Sequence, residues 1–89
     1  MRTLTVDASS FVSKHEMHEA LRAVLGQEYY WGSNLDALHD CLTMVFEPTT
    51  LVIKNWSAAV RNLGDYANRL WHVLDDSAEE NPCFNAVIE

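Results

Sequence analysis

The chain has 89 residues, of which 48% are hydrophobic, so it can bury the core of one small domain over residues 1–89. Thirteen acidic residues against six lysines and arginines give a formal net charge of −7 at pH 7. Such a surface repels nucleic-acid phosphates and anionic membranes, and it attracts a strongly basic protein.

The first residues do not resemble a signal peptide, and no apolar run approaches the length of a membrane span. We therefore expect a cytoplasmic protein. Its two cysteines, Cys41 and Cys83, are too few for a disulfide framework. Two thiols in or near the core are the simpler expectation, and a single disulfide is the alternative.

The first half of the chain predicts one strand and two helices. Thr3–Val6 alternates polar and apolar residues, as a short strand does. Ser13 and Glu16 fit a helix capping box, and Gly26 supplies a stop after a run of apolar residues at helical spacing. These apolar residues are Met17, Ala20, Leu21, Val24 and Leu25.

A second helix is predicted after an aromatic connection over residues 27–32. Ser33 and Asp36 form a pair similar to a capping box, and the helix should extend from about Asn34 to Val45. The aromatic run Tyr29-Tyr30-Trp31 is unusual for a loop, because such side chains are ordinarily covered by something.

The second half predicts two strands that flank two further helices. Leu51–Ile53 is an apolar run typical of a strand buried on both faces, and Phe84–Ile88 is a last short strand. Between them lie a short helix at Ser57–Leu63 that ends at Gly64, and a longer helix that Asp65 caps and that stops before Pro82. Strands separated by helices favour a parallel sheet, so we expect an α/β fold with a three-stranded parallel sheet packed with about four helices.

The second predicted helix carries two stripes on opposite sides of a helical wheel. One stripe is apolar and should face the core: Leu35, Leu38, Leu42 and Val45. The other is polar: Asp36, His39, Asp40 and Thr43. A polar stripe is ordinarily a solvated outer face, and this remains the simplest interpretation of the wheel alone.

Three features favour a protein-binding face instead. Residues 23–53 contain no lysine or arginine, although solvated faces usually mix charge signs. Asp36 and Asp40 are a like-charge pair four residues apart, which weakens a helix; Asp36 can favour the helix dipole, whereas Asp40 gains little from it. The stripe also follows an aromatic run directly, and a further acidic group occurs at Asp75, Asp76, Glu79 and Glu80.

Enzymatic and metal-binding interpretations have less support. Asp36, His39 and Asp40 could act in proton transfer, but no nucleophile or anion-stabilising cation accompanies them. His15 and His18 lack the spacing of a helical metal pair, and we expect partly exposed histidines there. We therefore expect a protein that is not an enzyme and needs no metal or cofactor. Trp56 and Trp71 are more typical of helix packing than of ligand binding.

Residues 29–43 resemble the core motif of the barstar family. Their sequence is Tyr29-Tyr30-Trp31-Gly32-Ser33-Asn34-Leu35-Asp36-Ala37-Leu38-His39-Asp40-Cys41-Leu42-Thr43. Members of that family are intracellular inhibitors of barnase-type ribonucleases. The resemblance is dense only over this stretch, but it extends in outline over most of the chain. Cys41 and Cys83 fall where the family has its two cysteines, which favours thiols.

This resemblance implies that the second helix and the preceding loop plug the active site of a basic ribonuclease. The acids would pair with the enzyme's cations in place of substrate phosphates, with Asp40 at the centre and Asp36 one turn earlier. Tyr30 would pack against a catalytic histidine, and Asp76 on the last helix would reach the rim. The implied partner-binding residues are Tyr29, Tyr30, Gly32, Asn34, Leu35, Asp36, His39, Asp40, Thr43 and Asp76.

The sequence also departs from the family's pattern. Trp31 is an additional residue, His39 stands where the family's best-known member has tryptophan, and Met44-Val45 replaces a Gly-Trp pair. We therefore expect a ribonuclease inhibitor whose target is a basic bacterial ribonuclease or the ribonuclease domain of a toxin, and which is monomeric when free. The alternative is a non-inhibitory interaction module of the same fold that binds another basic protein.

Overall fold

The computed structural model describes residues 2–26 and 34–89 of the chain. Within these ranges lie three strands and four helices, together with a 3-10 turn at Ala8–Ser10. In chain order they are β1 (Arg2–Asp7), α1 (Lys14–Leu25), α2 (Leu35–Thr43), β2 (Thr49–Lys54), α3 (Trp56–Leu63), α4 (Asp65–Glu80) and β3 (Phe84–Ile88).

The three strands form one parallel sheet in the order β1-β2-β3, with Leu4, Leu51 and Ala86 side by side. This confirms the predicted α/β fold with a three-stranded parallel sheet and four helices. The strand order follows the chain order without reversal. Because crossovers between parallel strands are right-handed, both helical connections should then cover the same face of the sheet.

Burial along the strands agrees with a sheet that is covered on one face. Leu51 and Ile53 are fully buried, whereas Val52, which points to the other face, is only half-buried. The prediction that β2 is buried on both faces is therefore wrong. The residues of β1 and β3 beside Thr50 and Val52 on the outer face are all exposed: Thr3, Thr5, Asn85 and Val87.

The core lies between the covered face of the sheet and the helices. Leu35, Leu38, Leu42 and Val45 are all buried, which confirms the predicted apolar stripe of α2. Leu70 and Leu74 of α4 are fully buried in the same core. Trp56 and Trp71 pack against this core. Their two rings contact each other edge to face, with centroids 6.3 Å apart, as expected of packing residues.

The helix boundaries follow from local chemistry. Ser13 Oγ accepts a hydrogen bond from the Glu16 amide at 3.2 Å, as the predicted capping box requires, and Gly26 ends α1 with a φ of 106°. The N-cap of α4 is Gly64 (φ 59°) rather than Asp65, which is the first helical residue and makes no capping hydrogen bond. A positive φ favours glycine, which explains how α3 and α4 can be joined by a single residue.

The N-cap of α2 is Asn34, whose Oδ1 accepts a hydrogen bond from the Ala37 amide at 3.0 Å. The predicted capping residue Ser33 lies outside the described residues. The helix ends at Thr43, earlier than predicted, and Met44 forms its C-cap.

The 3-10 turn after β1 was not predicted. Asp7 Oδ1 accepts hydrogen bonds from the Ser9 amide and from Asn55 Nδ2, each at 2.9 Å. The bond from Asn55, followed by those from Ser9, lowers the pKa of the Asp7 carboxyl. The carboxyl ends of β1 and β2 are thereby joined through one side chain.

Asn81 connects three elements of the fold. The side chain is buried, and its Nδ2 donates hydrogen bonds to the backbone oxygens of Leu42 at 2.9 Å and Val45 at 2.8 Å. Its Oδ1 accepts a hydrogen bond from the Cys83 amide at 2.9 Å. One carboxamide therefore fixes the end of α2 to the end of α4 and to the start of β3.

We predict that Asn81→Ala lowers the free energy of unfolding by roughly 2–4 kcal/mol, because the Val45 carbonyl and the Cys83 amide lose their partner and the Leu42 carbonyl loses one of its donors. Urea denaturation followed by circular dichroism measures the change. Asn85→Ala, at an exposed position of β3, is the matched control and should change it by less than about 0.5 kcal/mol. Equal effects of the two substitutions would contradict the connecting role of Asn81.

Candidate functional site: the acidic face of α2 and the groove beside α4

The polar stripe of α2 forms an acidic outer face, here called the acidic face: Asp36, His39, Asp40 and Thr43. Asp36 and Asp40 are exposed, and the Asp40 side chain is 84% exposed. In the part of the chain that the structure describes, the only basic group within 4.0 Å of the Asp40 carboxylate is His39 Nδ1, at 3.9 Å. Thr43 Oγ1 donates a hydrogen bond to the Asp40 carbonyl at 2.8 Å. The Asp40 carboxylate is thus left available to a partner.

His39 connects the acidic face to α4. Its side chain is 29% exposed, and Nε2 contacts Glu80 Oε2. A groove of about 430 Å³ is lined by His39, Asp76, Glu79 and Glu80, here called the acidic groove. Three carboxylates and one imidazole in a concave surface concentrate negative potential, so the groove favours a cationic side chain.

The opposite end of α2 has a different charge. A cleft of about 340 Å³ is lined by Lys14, Asn34, Leu35, Asp36, Tyr66 and Arg69. Lys14 Nζ lies 4.7 Å from the centroid of the Tyr66 ring, and the guanidinium carbon of Arg69 lies 5.9 Å from it. The surroundings of α2 therefore change from partly cationic at its start, where Lys14 of α1 and Arg69 of α4 lie nearby, to acidic at its end.

Two exposed apolar side chains follow α2 directly. Met44 is 68% exposed and Phe46 is 82% exposed, whereas Val45 between them is buried. We call these two the Met44–Phe46 pair. The sequence reasoning missed Phe46. The sequence feature that could have indicated it is a phenylalanine directly after Val45, the last residue of the predicted apolar stripe.

The structure brings most of the predicted site residues together, on two elements. Six of them lie on α2 or at its N-cap: Asn34, Leu35, Asp36, His39, Asp40 and Thr43. Asp76 of α4 lines the acidic groove together with His39. Leu35 is buried, so it offers little surface to a partner. The predicted contacts Tyr29, Tyr30 and Gly32 lie outside the described residues.

The acidic face and the acidic groove together present carboxylates to the surroundings. The described sheet advances in one direction, so it lacks the reversal of strand order at which open α/β sheets form a ligand crevice. Within residues 2–26 and 34–89, no group of three or more His, Cys, Asp or Glu side chains is placed to hold a metal ion. None of the described helices is long and apolar enough to cross a membrane.

The chain matches the protein family described as Barstar (barnase inhibitor) over residues 1–88. The chain belongs to the barstar family. It is also 40% identical over 81 residues to a Bacillus subtilis (strain 168) protein named "Putative ribonuclease inhibitor YrdF", an alignment that covers 90% of this chain and 89% of that protein. Both comparisons support a role of the barnase-inhibitor type.

The two cysteines of this barstar-family chain are present as thiols, as expected. Cys41 on α2 is buried and Cys83 is half-buried. Burial, followed by the charge of Asp40, raises the pKa of the Cys41 thiol. A thiol with a raised pKa is a poor nucleophile at neutral pH, which is typical of a packing residue.

His18 departs from the prediction of partly exposed histidines on α1. His15 is exposed, but His18 is fully buried, and its Nε2 forms a hydrogen bond with the Tyr66 hydroxyl at 2.9 Å. Burial, followed by the positive charge of Arg22, lowers the pKa of His18. His18 is therefore a neutral core residue that joins α1 to α4.

We predict that acidification destabilises the protein through His18. Because the pKa of His18 is lowered by folding, the unfolded chain takes up a proton near pH 6.5 while the folded chain does not. This contribution to stability is complete above about pH 6.5, and it is lost progressively below that value until the pH falls through the lower pKa of the folded state. Urea denaturation at intervals between pH 7.5 and 5.5 measures the slope.

His18→Gln should flatten this slope, even if it lowers stability at every pH. His72→Gln, at an exposed position of α4, should leave the slope as it is in the wild type. A slope that survives His18→Gln would assign the pH dependence to other groups.

Proposed function

We propose that this barstar-family chain inhibits a basic ribonuclease by placing the acidic face of α2 in the enzyme's active site. The observation that carries the proposal is the carboxylate of Asp40. Its side chain is 84% exposed on α2, with Asp36 one turn away on one side and the acidic groove on the other. A negative surface of this kind has little structural use, and it complements a site built to hold phosphates.

The chemistry of such a plug is substitution of carboxylate for phosphate. An enzyme that cleaves RNA binds phosphates with cationic side chains, and charge-assisted hydrogen bonds from those cations are equally available to carboxylates. Asp40 would occupy the centre of that cationic site, and Asp36 would contact its edge. The inhibitor has no scissile phosphodiester bond, so the enzyme would be occupied without turnover.

The acidic groove would widen this contact. Asp76 and Glu79 line it beside the contact between His39 and Glu80, so an arginine or lysine at the enzyme's rim could enter between α2 and α4. The net charge of −7 would accelerate the encounter with a basic enzyme. By the family resemblance, Tyr29, Tyr30 and Gly32 would contribute from the segment that precedes α2.

The test is an RNA-cleavage assay with and without the purified protein. Barnase is the first enzyme, and the host's ribonucleases and ribonuclease toxin domains follow. We expect stoichiometric loss of cleavage for at least one of them. Binding to a basic protein without any loss of cleavage would instead support the non-inhibitory interaction module.

We predict that Asp40→Ala weakens inhibition by orders of magnitude and acts mainly through faster dissociation. The substitution would leave the enzyme's buried cations without a partner. Glu19→Ala is the matched control, since it changes the net charge equally but lies on the exposed surface of α1. Surface plasmon resonance measures both rates. A loss under about 1 kcal/mol would place Asp40 at a solvated rim.

A further inference from the structure

The side chains of the Met44–Phe46 pair are exposed and do not contribute to the core. Phe46 has the highest exposure among the large hydrophobic side chains of the described residues, and Met44 is second. Isolated exposed hydrophobic residues are common on soluble proteins, so exposure alone does not indicate a site. The pair differs from an isolated exposed residue in two respects: its backbone is held by hydrogen bonds, and it follows the acidic face directly.

The backbone that carries the pair is fixed on both sides. Val45 is buried, its amide donates to the Leu42 carbonyl at 3.3 Å, and its own carbonyl accepts from Asn81 Nδ2 at 2.8 Å. After the pair, the Glu47 carbonyl accepts from Thr49 Oγ1 at 2.7 Å. A fixed backbone reduces the entropy lost when two exposed side chains become buried against a partner.

The pair is also continuous with the acidic face. Met44 keeps a helical conformation (φ −96°, ψ −1°) and lies four residues after Asp40, so it extends the row that begins at Asp36. Phe46 follows two residues later and is succeeded by Glu47, whose carboxylate forms an ion pair with Arg2 Nε at 2.9 Å. A surface that covers Asp40 would therefore meet Met44 next, and Phe46 follows it along the chain.

We infer that the Met44–Phe46 pair is an apolar anchor that inserts into a hydrophobic pocket beside the cationic site of the ribonuclease. The inference rests on the proposed function and names the feature that selects the partner. The acidic face alone would attract any sufficiently basic ribonuclease. An apolar anchor discriminates among them, because an enzyme without a matching pocket leaves the phenylalanine in water or clashes with it.

The test uses a ribonuclease that the wild-type protein inhibits, found with the assay described above. Phe46→Ser should raise the dissociation constant by roughly 10- to 100-fold, as the loss of one buried aromatic side chain implies. Phe46→Leu should retain part of the affinity, and Met44→Ser should give a smaller loss. Val12→Ser is the matched control, because Val12 is 63% exposed but lies before α1, and it should leave affinity unchanged.

Salt dependence separates an apolar anchor from an electrostatic effect. The fold-change caused by Phe46→Ser should be the same at about 0.05 M and 0.5 M NaCl, since screening acts on charges. The thermal unfolding of Phe46→Ser should match the wild type, which shows that a loss of binding is not a loss of fold.

The outcomes distinguish the inference from the proposed function. If the wild type inhibits a ribonuclease and Phe46→Ser inhibits it equally well, the anchor is overturned while the proposed function stands. If the wild type inhibits none, both are overturned. A wild-type dimer in sedimentation velocity that Phe46→Ser converts to a monomer would also overturn the anchor, because the pair would then bind a second copy of this chain.

Discussion

The carboxamide of Asn81 holds the last turn of α2 against the end of α4, and much of the molecule's surface chemistry depends on that contact. Both helices also pack into the same core, and the carboxamide fixes their ends relative to each other. The carboxylates of α2 and α4 therefore share one surface, and His39 of α2 contacts Glu80 of α4. The same carboxamide fixes Val45, and hence the two side chains that flank it. One buried amide therefore supports both the charged and the apolar parts of the candidate site.

This arrangement has an electrostatic cost. The C-terminal ends of α2 and α4 carry negative partial charge, and neither last turn contains a basic residue. Glu79 and Glu80 lie in the last turn of α4, where acids oppose the helix dipole. A protein selected for stability alone would place lysines or arginines there. The cost is consistent with a surface whose charge is compensated by a basic partner, which is the role that membership of the barstar family supports.

Most of the fold was predictable from the sequence because its signals are local. The capping chemistry at Ser13, the glycines at positions 26 and 64 and the periodic stripe of α2 each act within a few residues. The predictions that were wrong concern burial that depends on contacts between residues far apart in the sequence. Whether β2 is covered on both faces depends on the direction in which strands are added, and the burial of His18 depends on Tyr66, 48 residues away.

The candidate site was predictable in part for the same reason. The row of acids on α2 is visible on a helical wheel, whereas the groove requires the packing of α2 on α4. The exposure of Phe46 was hidden because an apolar residue next to a core stripe resembles one more core residue. Only the burial of Val45 shows that its neighbours must point outward.

The outer face of the sheet is exposed, whereas the opposite side of the protein carries the core and the acidic face. Thr3, Thr5, Asn85 and Val87 point away from the helices and take no part in the core or in the acidic surface. Substitutions there need only preserve strand geometry and solubility. Substitutions can therefore accumulate on that side over evolutionary time without altering the acidic face or the acidic groove. For the experimenter, the same side offers positions for a fluorophore or a surface tether that leave the acidic helix unobstructed.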